Sequence, residues 1–285
     1  MNLFAEKVSV IIPAYNEEAT IVETLTAVKT LPFVGEVIVV NDGSTDLTAE
    51  LAAKNGARVI SHESNRGYGA SLKTGIRNAK YDLVGCIDAD GQQNPQDLLE
   101  LKKFIDEYDM VVGARGSESH FPLWRRPGKK LIGSLANYLA GRKIPDFNSG
   151  LRLIKKAMIL PYLKMFPDGF SFSTTSTIFF IKEGLKIKYV PINVKKRRGK
   201  STLTARHGLD TIILILRLIT MFEPLKIFLP ASIFIFVVDL IWAAREFWLF
   251  RSFGATSIFL GITALLVFFV GLISDQIANL RKEFK

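Results

Sequence analysis

The sequence contains very little cysteine. Cys86 is the single cysteine in 285 residues, which excludes an internal disulfide. It lies in the apolar run 83–87, where we expect a small buried core residue rather than a reactive thiol. This cysteine usage fits a reducing, cytoplasmic setting.

Negative charge is scarce relative to positive charge. There are 37 Lys and Arg against 27 Asp and Glu, and the formal net charge is +10. A basic chain favours anionic partners, and phosphates, acidic lipid headgroups and nucleic acid all meet that description. A secretory signal pattern is also missing near the start, because the apolar run 8–13 is too short and polar, acidic residues follow it at once.

The first half alternates short apolar runs with amphipathic stretches, which is the pattern of βαβ units. Near-continuous apolar strands joined by helices predict an α/β fold with a mainly parallel central sheet covered on both faces. Ligands bind such sheets beyond the carboxyl ends of the strands, so polar residues that follow each strand are the candidates for chemistry. We expect strands at 8–12, 36–40, 58–61, 83–87 and 110–112, and helices at 17–29, 45–54, 69–79 and 95–107.

Two long apolar stretches occupy the last third of the chain. Residues 225–244 and 254–274 are each long enough to cross a bilayer core of about 30 Å as helices. The short connector 245–253 predicts a tight hairpin. A pair of helices buried in a large soluble core is the alternative, but the preceding domain is too small to enclose them. A carboxylate is costly in lipid, so we expect Asp239 to pack between helices or lie near the interface rather than serve transport.

Basic residues flank these two stretches unevenly. The connector holds Arg245 and Arg251, whereas many Lys and Arg precede the first stretch and three follow the second. The positive-inside rule therefore predicts a multi-pass protein of the cell membrane whose globular part lies in the cytoplasm. The flanking residues are Lys186, Lys188, Lys195, Lys196, Arg197, Arg198, Lys200 and Arg206 before the first stretch, and Arg281, Lys282 and Lys285 after the second.

A third apolar segment, 206–222, carries Arg206, Asp210 and Arg217 at helical spacing on one stripe. This pattern is typical of a helix that lies in the headgroup plane, although a third spanning helix stays open. The expected organisation is a cytoplasmic domain at 1–204, an interfacial amphipathic helix at 205–223 and a transmembrane hairpin at 224–285.

The strongest chemical motif is Asp88-Ala89-Asp90-Gly91-Gln92, which follows an apolar strand. Carboxylates at positions i and i+2 just past a strand end can converge on one small volume. Such a pair is a hard-oxygen site for Mg²⁺ or Mn²⁺, with positions left for a diphosphate. An acidic pair on the surface is the alternative, and it is common.

Two further polar groups follow the first two strands. They are Pro13-Ala14-Tyr15-Asn16-Glu17 and Asn41-Asp42-Gly43-Ser44-Thr45-Asp46. Tyr15 could cover a base or ribose, and Asp42 could accept a hydrogen bond from a base ring N–H. The second group also has the composition of a turn with a helix cap, and a cap and a ligand contact can coexist.

In this order the three motifs resemble those of family 2 glycosyltransferases with the nucleotide-sugar-binding GT-A fold, over about the first 115 residues. Asn41 stands where many relatives carry Asp. The resemblance implies that Pro13, Tyr15, Glu17, Val40 and Asp42 hold the nucleoside, that Asp88, Ala89 and Asp90 meet the diphosphate, and that Asp90 and Gln92 bind the metal.

The following region is similar to polyprenyl-phosphate glycosyltransferases, which include dolichol-phosphate mannose synthases. The segment Asp146-Phe147-Asn148-Ser149-Gly150-Leu151-Arg152 resembles their acceptor-side segment, and residues 196–201 resemble the basic loop before their membrane part. Thr202 departs from the Lys that relatives often carry. An Arg at a strand end suits phosphate oxygens, so we expect Arg115 on the donor. Expected on the acceptor phosphate are Arg126, Arg198, Lys200 and Ser201; Asp90 and Asp146 are expected to be catalytic.

The resemblance implies an inverting transfer of a sugar from a nucleotide diphosphate to a polyprenyl phosphate at the cytoplasmic membrane face, with Mg²⁺ or Mn²⁺ as cofactor. Asp146 is either a base or an orienting group. The sugar, the polyprenol length and a homo-oligomer stay open. The alternatives are a processive polysaccharide synthase, whose Gln-x-x-Arg-Trp segment is missing here, and a non-catalytic scaffold that binds nucleotide sugar. Nucleic acid is not expected, because the basic cluster's place beside a spanning segment explains the charge better.

Overall fold

The computed structural model describes residues 6–116, 134, 137–138, 141, 143–146, 148–169, 171–194, 220 and 223–283. The chain divides into two units, residues 1–206 and residues 207–285. The expected interfacial helix at 205–223 lies outside the described residues apart from positions 220 and 223, and the predicted domain boundaries stay predictions.

The first unit is built around one mixed sheet of seven strands with the order β3-β2-β1-β4-β6-β5-β7. The pairs β1–β2, β2–β3, β1–β4 and β5–β7 are parallel, whereas β6 runs antiparallel to both β4 and β5. The sheet is therefore mainly parallel, as predicted. The strands are β1 (Val8–Ala14), β2 (Val34–Asn41), β3 (Arg58–Ser61), β4 (Leu83–Cys86), β5 (Met110–Arg115), β6 (Arg152–Lys155) and β7 (Ile187–Ile192).

Helices cover both faces of this sheet. Val10 of β1 belongs to the apolar cluster that contains Leu25 and Leu98, whereas its neighbour Ile11 faces Gly75 on another helix. Successive side chains of a strand point to opposite faces, so the two contacts mark the two covered faces. The helices are α1 (Ile21–Lys29), α2 (Thr48–Lys54), α3 (Tyr68–Asn78), α4 (Asp97–Lys102), α5 (Lys156–Ile159) and α6 (Phe172–Lys182), with a 3₁₀ helix at Leu160–Met165.

The predicted elements of the first half are present, with corrected ends. Helix α1 begins at Ile21 rather than at residue 17, because residues 17–20 form a turn in which the Glu17 carbonyl accepts from the Thr20 and Ile21 N–H groups. Helix α4 covers Asp97–Lys102, a shorter range than the predicted 95–107. Cys86 is buried, and burial raises the pKa of its thiol to about 12, as suits a core residue.

The second unit contains two long helices, α7 (Leu225–Phe250) and α8 (Ala255–Glu283), which pack against each other as a hairpin. Both are long and apolar enough to cross a membrane. Most of their large apolar side chains are exposed, including Phe234 and Trp248. This pattern fits helices whose outer surface meets lipid, and it confirms the predicted hairpin.

Carboxylates in the second unit are held by polar groups of the hairpin itself. Asp239 of α7 is 9% exposed and accepts a hydrogen bond from the Ser257 hydroxyl of α8 at 2.9 Å. Gly261 leaves room for it, since a Cβ there would lie 3.0 Å from the Asp239 Oδ2 atom. Glu246 accepts from the Gly254 N–H at 2.7 Å and from the Trp242 indole at 3.0 Å. Asp239 thus packs between the helices, as expected from its cost in lipid.

Candidate functional site

The loops that carry the predicted motifs meet at one edge of the sheet. Strands β1, β2 and β4 are parallel, so the residues that follow them emerge together. Strand β6 runs the other way, and its first residue, Arg152, lies opposite Cys86 and Val112. The segment 146–151 therefore enters at the edge where the loop after β4 leaves.

The first two motifs are joined into one platform by side-chain hydrogen bonds. The Asn16 Oδ1 atom accepts from the Thr45 N–H at 2.9 Å, and the Asn16 N–H donates to the Ser44 hydroxyl at 3.0 Å. The Glu17 N–H donates to the Thr48 hydroxyl at 2.8 Å. Asn16 has a φ of 54°, a left-handed conformation that Asn tolerates better than most residues. These hydrogen bonds fix the two motifs against each other.

The residues expected around a nucleoside differ in their exposure. Tyr15 is 45% exposed beside the platform and is free to cover a ring. Pro13 and Val40 are buried and lie opposite each other in the pairing of β1 with β2. The Glu17 carboxylate accepts from the Thr20 hydroxyl at 3.0 Å. Their contacts with a nucleoside stay predictions.

Asp42 is 3% exposed and already holds several groups of the protein. Its Oδ1 atom lies 2.7 Å from the His62 Nδ1 atom and accepts from the Arg66 N–H at 3.0 Å. Its Oδ2 atom accepts from the Gly67 N–H at 2.8 Å. Asp42 therefore anchors the loop after β3, and its contact with a base stays a prediction. His62 is not among the residues predicted from the sequence, although it directly follows β3 and so holds a strand-end position.

Asp88 is held from two sides. Its Oδ1 atom accepts from the Tyr68 hydroxyl at 2.9 Å, and its Oδ2 atom accepts from the Gln93 side-chain amide at 2.7 Å. The Gln93 amide oxygen in turn accepts from the Asp88 N–H at 3.1 Å. Burial and then the charge of Asp90 raise the pKa of Asp88 to about 6, against the hydrogen bond from Tyr68 and the charges of two arginines.

The acceptor-side segment contacts this carboxylate directly through Gly150. A Cβ atom at Gly150 would lie 2.3 Å from the Asp88 Oδ2 atom and 2.5 Å from the Oδ1 atom. Only a residue without a side chain fits there. The resemblance placed Asp88 on the donor and Gly150 in the acceptor segment, and the fold brings these two segments into contact.

Asp90 and Gln92 form the part of the loop that the sequence predicts to bind metal. Gly91 between them has a φ of 67°, and the Asp90 Oδ1 atom accepts from the Gln92 N–H at 3.1 Å. Across the part of the chain that the structure describes, no cluster of three His, Cys, Asp or Glu side chains could enclose a metal. A carboxylate and an amide oxygen are hard donors, and Mg²⁺ or Mn²⁺ commonly takes one or two such groups together with substrate phosphates. The donor set fits a divalent cation that is shared with a diphosphate.

Arg115, at the end of β5, forms a two-pronged ion pair with Asp146. Its Nε atom donates to the Asp146 Oδ2 atom at 2.7 Å and its Nη2 atom to the Oδ1 atom at 3.0 Å. The N–H groups of Arg115 and Asn148 also donate to this carboxylate. Burial alone would raise the pKa of Asp146, but these hydrogen bonds and the charge of Arg115 outweigh it and hold the pKa below its usual value of 3.8. Such a carboxylate stays ionised and is a weak base.

Arg152 is a second cation of the site; the sequence placed it in the acceptor-side segment without a role of its own. It is 1% exposed, and its guanidinium donates to the Ser149 carbonyl, the Ser176 hydroxyl and the Thr177 hydroxyl. Its charge partly opposes the rise in the pKa of Asp88 that burial and Asp90 cause. The Ser176 and Thr177 hydroxyls of α6 therefore hold a buried guanidinium whose charge acts on the Asp88 loop. The predicted acceptor residues Arg126, Arg198, Lys200 and Ser201 lie outside the described residues.

Comparison with known proteins agrees with this geometry. Residues 9–161 match the sequence profile of glycosyl transferase family 2, and residues 223–280 match that of the GtrB C-terminal hairpin. An uncharacterized protein of Methanocaldococcus jannaschii is 36% identical over 226 residues, which are 73% of this chain and 92% of that protein.

One further relative and one solved structure carry functional descriptions. The undecaprenyl-phosphate 4-deoxy-4-formamido-L-arabinose transferase of Salmonella choleraesuis is 33% identical over 164 residues, 54% of this chain and 50% of that transferase. This chain thus spans about half of its length. The structure of glucosyl-3-phosphoglycerate synthase from Mycobacterium tuberculosis with Mn²⁺, UDP-glucose and phosphoglyceric acid superposes with a TM-score of 0.62 at 23% identity, covering 76% of this chain and 79% of that one. The first unit thus has the GT-A fold predicted from the sequence, and the chain belongs to glycosyl transferase family 2 and is a glycosyltransferase.

Proposed function

We propose that this protein transfers a sugar from a nucleotide diphosphate sugar to a polyprenyl phosphate, with inversion, at the cytoplasmic face of the cell membrane. The observation that carries the proposal is the joining of a family 2 unit to an apolar hairpin in one chain. A lipid acceptor explains why a sugar-transferring unit is attached to a membrane segment. The Salmonella relatives, whose names state undecaprenyl-phosphate acceptors, support this acceptor class.

The donor is proposed from the strand-end loops. Tyr15 and Asp42 directly follow β1 and β2 and are proposed to hold the nucleoside, and Asp88, Ala89 and Asp90, after β4, are proposed to meet the diphosphate. The mycobacterial synthase, solved with Mn²⁺ and UDP, supports a nucleotide bound with a divalent cation. Asp90 and Gln92 would hold Mg²⁺ or Mn²⁺ here. The cation, when bound, supplies positive charge that neutralises the leaving nucleoside diphosphate.

The chemical step is an in-line displacement at the anomeric carbon. A phosphate oxygen of the acceptor forms a bond to this carbon while the bond from the carbon to the diphosphate oxygen breaks, and the nucleoside diphosphate leaves with the electron pair. The second ionisation of a phosphate monoester lies near pH 6, so at neutral pH the acceptor is already a dianion. No proton has to be removed, and the protein contributes positioning and charge neutralisation.

Asp146 is assigned an orienting role in this scheme. Its carboxylate is engaged by Arg115 and by backbone N–H groups, and its pKa lies below the usual value. A carboxylate with so low a pKa is a weak base. The dianionic acceptor also has no proton to give it. Arg126, Arg198, Lys200 and Ser201 are proposed to bind the acceptor phosphate.

The orientation is proposed from charge. The connector between α7 and α8 carries two basic residues, whereas Lys and Arg cluster before α7 and at the end of α8. Both helices are long and apolar enough to span the membrane, and the positive-inside rule then supports a first unit that lies in the cytoplasm.

A transfer assay with undecaprenyl phosphate in liposomes tests the proposal. Purified protein receives Mn²⁺ and one of a set of labelled UDP- and GDP-sugars, and the lipid product is analysed for sugar number and anomeric configuration. We expect one sugar per lipid, attached with inversion. Asp90→Asn should abolish the product, and Asp106→Asn, an exposed acidic residue away from the strand-end loops, should not. Polymeric product would instead indicate a processive synthase, and binding without transfer would indicate a scaffold.

A further inference from the structure

Tyr68 is the first residue of α3, and its hydroxyl reaches the carboxylate of the Asp88 loop at 2.9 Å. Burial, followed by the charge of Asp88, raises the pKa of Tyr68 well above its ordinary value of 10.0. The hydroxyl therefore keeps its proton at physiological pH and is the donor in this bond. A hydrogen bond from a neutral hydroxyl to a carboxylate is stronger than one between two neutral groups.

The start of α3 is fixed on two sides, which places this hydroxyl. On one side, the Asp42 carboxylate accepts from the Gly67 N–H, directly before Tyr68. On the other side, the Asp168 carbonyl accepts from the Ala70 N–H at 2.9 Å, and the Asp168 carboxylate pairs with the Lys73 ammonium at 2.7 Å.

The two glycines beside Tyr68 allow this close approach. A Cβ at Gly67 would lie 2.7 Å from the Asp168 carbonyl oxygen, and a Cβ at Gly69 would lie 2.3 Å from the Pro167 carbonyl oxygen. Gly67 also has a φ of 100°, which a residue with a side chain rarely adopts. The backbone at 167–169 therefore packs directly on the turn that carries Tyr68, and the tyrosine has little freedom to move away from the loop after β4.

We propose that Tyr68 is a positioning residue of the transfer reaction, whose hydroxyl holds the Asp88 carboxylate beside Asp90 and so sets the affinity for a metal-bound nucleoside diphosphate. Tyr68 and Gln93 each hold one oxygen of Asp88, and Gly150 closes the third side. Without the hydroxyl, one oxygen loses its donor and the carboxylate can rotate in the loop that contains Asp90. This inference rests on the nucleotide donor of the proposed function.

Calorimetric titration of the full chain in detergent tests this role. UDP and GDP are each titrated with saturating Mn²⁺ and again with EDTA, and the ratio of the two affinities measures the contribution of the metal-bound complex. Because one hydrogen bond to a charged group is lost, we expect Tyr68→Phe to lower the Mn²⁺-dependent affinity about ten- to hundredfold. The affinity in EDTA should change little, and the melting temperature without ligand should fall by only about 3–6 °C, since one bond to a charged group is lost while the ring remains in place. Tyr81→Phe is the matched control, because Tyr81 precedes β4, at the end opposite to Asp88.

A double-mutant cycle separates positioning from a general effect on the fold. Once Asp88→Asn is present, adding Tyr68→Phe should cause no further loss of Mn²⁺-dependent affinity, because the tyrosine acts through that carboxylate. Additive losses, or a loss below about twofold in Tyr68→Phe alone, would overturn the inference. If the wild-type protein binds no nucleotide, the proposed donor is refuted and the inference with it. If wild type and Tyr68→Phe bind nucleotide equally well, only the inference is refuted.

Discussion

Replacing Asp146 by Asn tests whether the acceptor phosphate activates itself. In the folded protein, each oxygen of this carboxylate accepts two hydrogen bonds, from the Arg115 guanidinium and from backbone N–H groups. The amide of Asn has one oxygen, which can accept from only two of these four donors. Two bonds are therefore lost, and the NH₂ group faces the two donors that remain. At about 1.5 kcal/mol for each bond to a charged group, the cost is about 3 kcal/mol. For a domain of this size we expect the melting temperature to fall by roughly 6–12 °C.

The pH dependence of this stability difference has a defined sign. The pKa of Asp146 in the folded protein lies below 3.8, so the stabilisation is present above about pH 4 and is lost as the pH falls. The difference in melting temperature between wild type and variant should thus be constant from about pH 5 to pH 8 and shrink below about pH 4. Thermal unfolding across this range measures it, with Asp106→Asn as the control.

Single-turnover transfer decides the role in catalysis. If the acceptor dianion is the nucleophile, the wild-type rate rises up to about pH 6 and then levels off. The Asp146→Asn rate should follow the same profile within about a factor of 30 at saturating donor. Asp88 titrates near the same pH, with a pKa of about 6. An acceptor phosphonate, whose second ionisation lies at higher pH, distinguishes the acceptor from Asp88. An inflection of the pH–rate profile that belongs to the acceptor moves to higher pH with the phosphonate, whereas one that belongs to Asp88 stays in place.

The opposite result would assign Asp146 as the base. A general base contributes about 10²–10⁴ to the rate. A fall of three orders of magnitude or more in Asp146→Asn, with donor affinity unchanged, would refute self-activation. An inflection that stays in place with the phosphonate acceptor would refute it independently.

Three further outcomes are expected. Asp90→Asn should keep less than about a tenth of the wild-type rate, a loss above 1.4 kcal/mol of barrier, with an unchanged melting temperature, and a higher residual rate would contradict the metal assignment. Gly150→Ala should lower both activity and Mn²⁺-dependent nucleotide affinity at least tenfold, because its Cβ would overlap the Asp88 carboxylate. Gly116→Ala is the control, since a Cβ there would have no neighbour within 4 Å, and equal effects of the two variants would refute the contact. A chain that ends at Thr204 should still bind nucleotide sugar in calorimetry but transfer poorly to undecaprenyl phosphate in liposomes, and unimpaired transfer would show the hairpin to be dispensable.

The parallel half of the sheet could be predicted from the sequence because its signals are local. Strands β1, β2 and β4 are apolar runs that end in polar motifs, and buried strands between helices have few other interpretations. The family and the hairpin followed from the same local patterns, and both are confirmed, whereas the roles of the motif residues stay predictions. The loops after these strands could be grouped from the sequence alone, because the carboxyl ends of parallel strands lie at one edge of the sheet.

The rest of the sheet depends on contacts that are distant in sequence. Strand β6 is four residues long and begins with Arg152. In the sequence, a short run that begins with an arginine is typical of a surface segment. Only the fold shows that two hydroxyls of α6 hold this guanidinium in the interior. Helix α6 contains Thr, Ile and Phe, which favour strands, yet it is a buried helix, so tertiary packing overrides propensity there. The bond from Tyr68 to Asp88 joins residues 20 positions apart, and no spacing rule predicts it.

Separating α7 from α8 inside a bilayer would strip the Asp239 carboxylate of its hydroxyl donor and expose it to hydrocarbon. Insertion scales put an Asp at the middle of a spanning helix at about 2.5–3.5 kcal/mol, and Glu246 would lose its bond to the Gly254 N–H as well. This cost falls on α7, which carries both carboxylates. In a bilayer we therefore expect α7 to be more stable paired with α8 than alone, because only the pair supplies the Ser257 hydroxyl to Asp239.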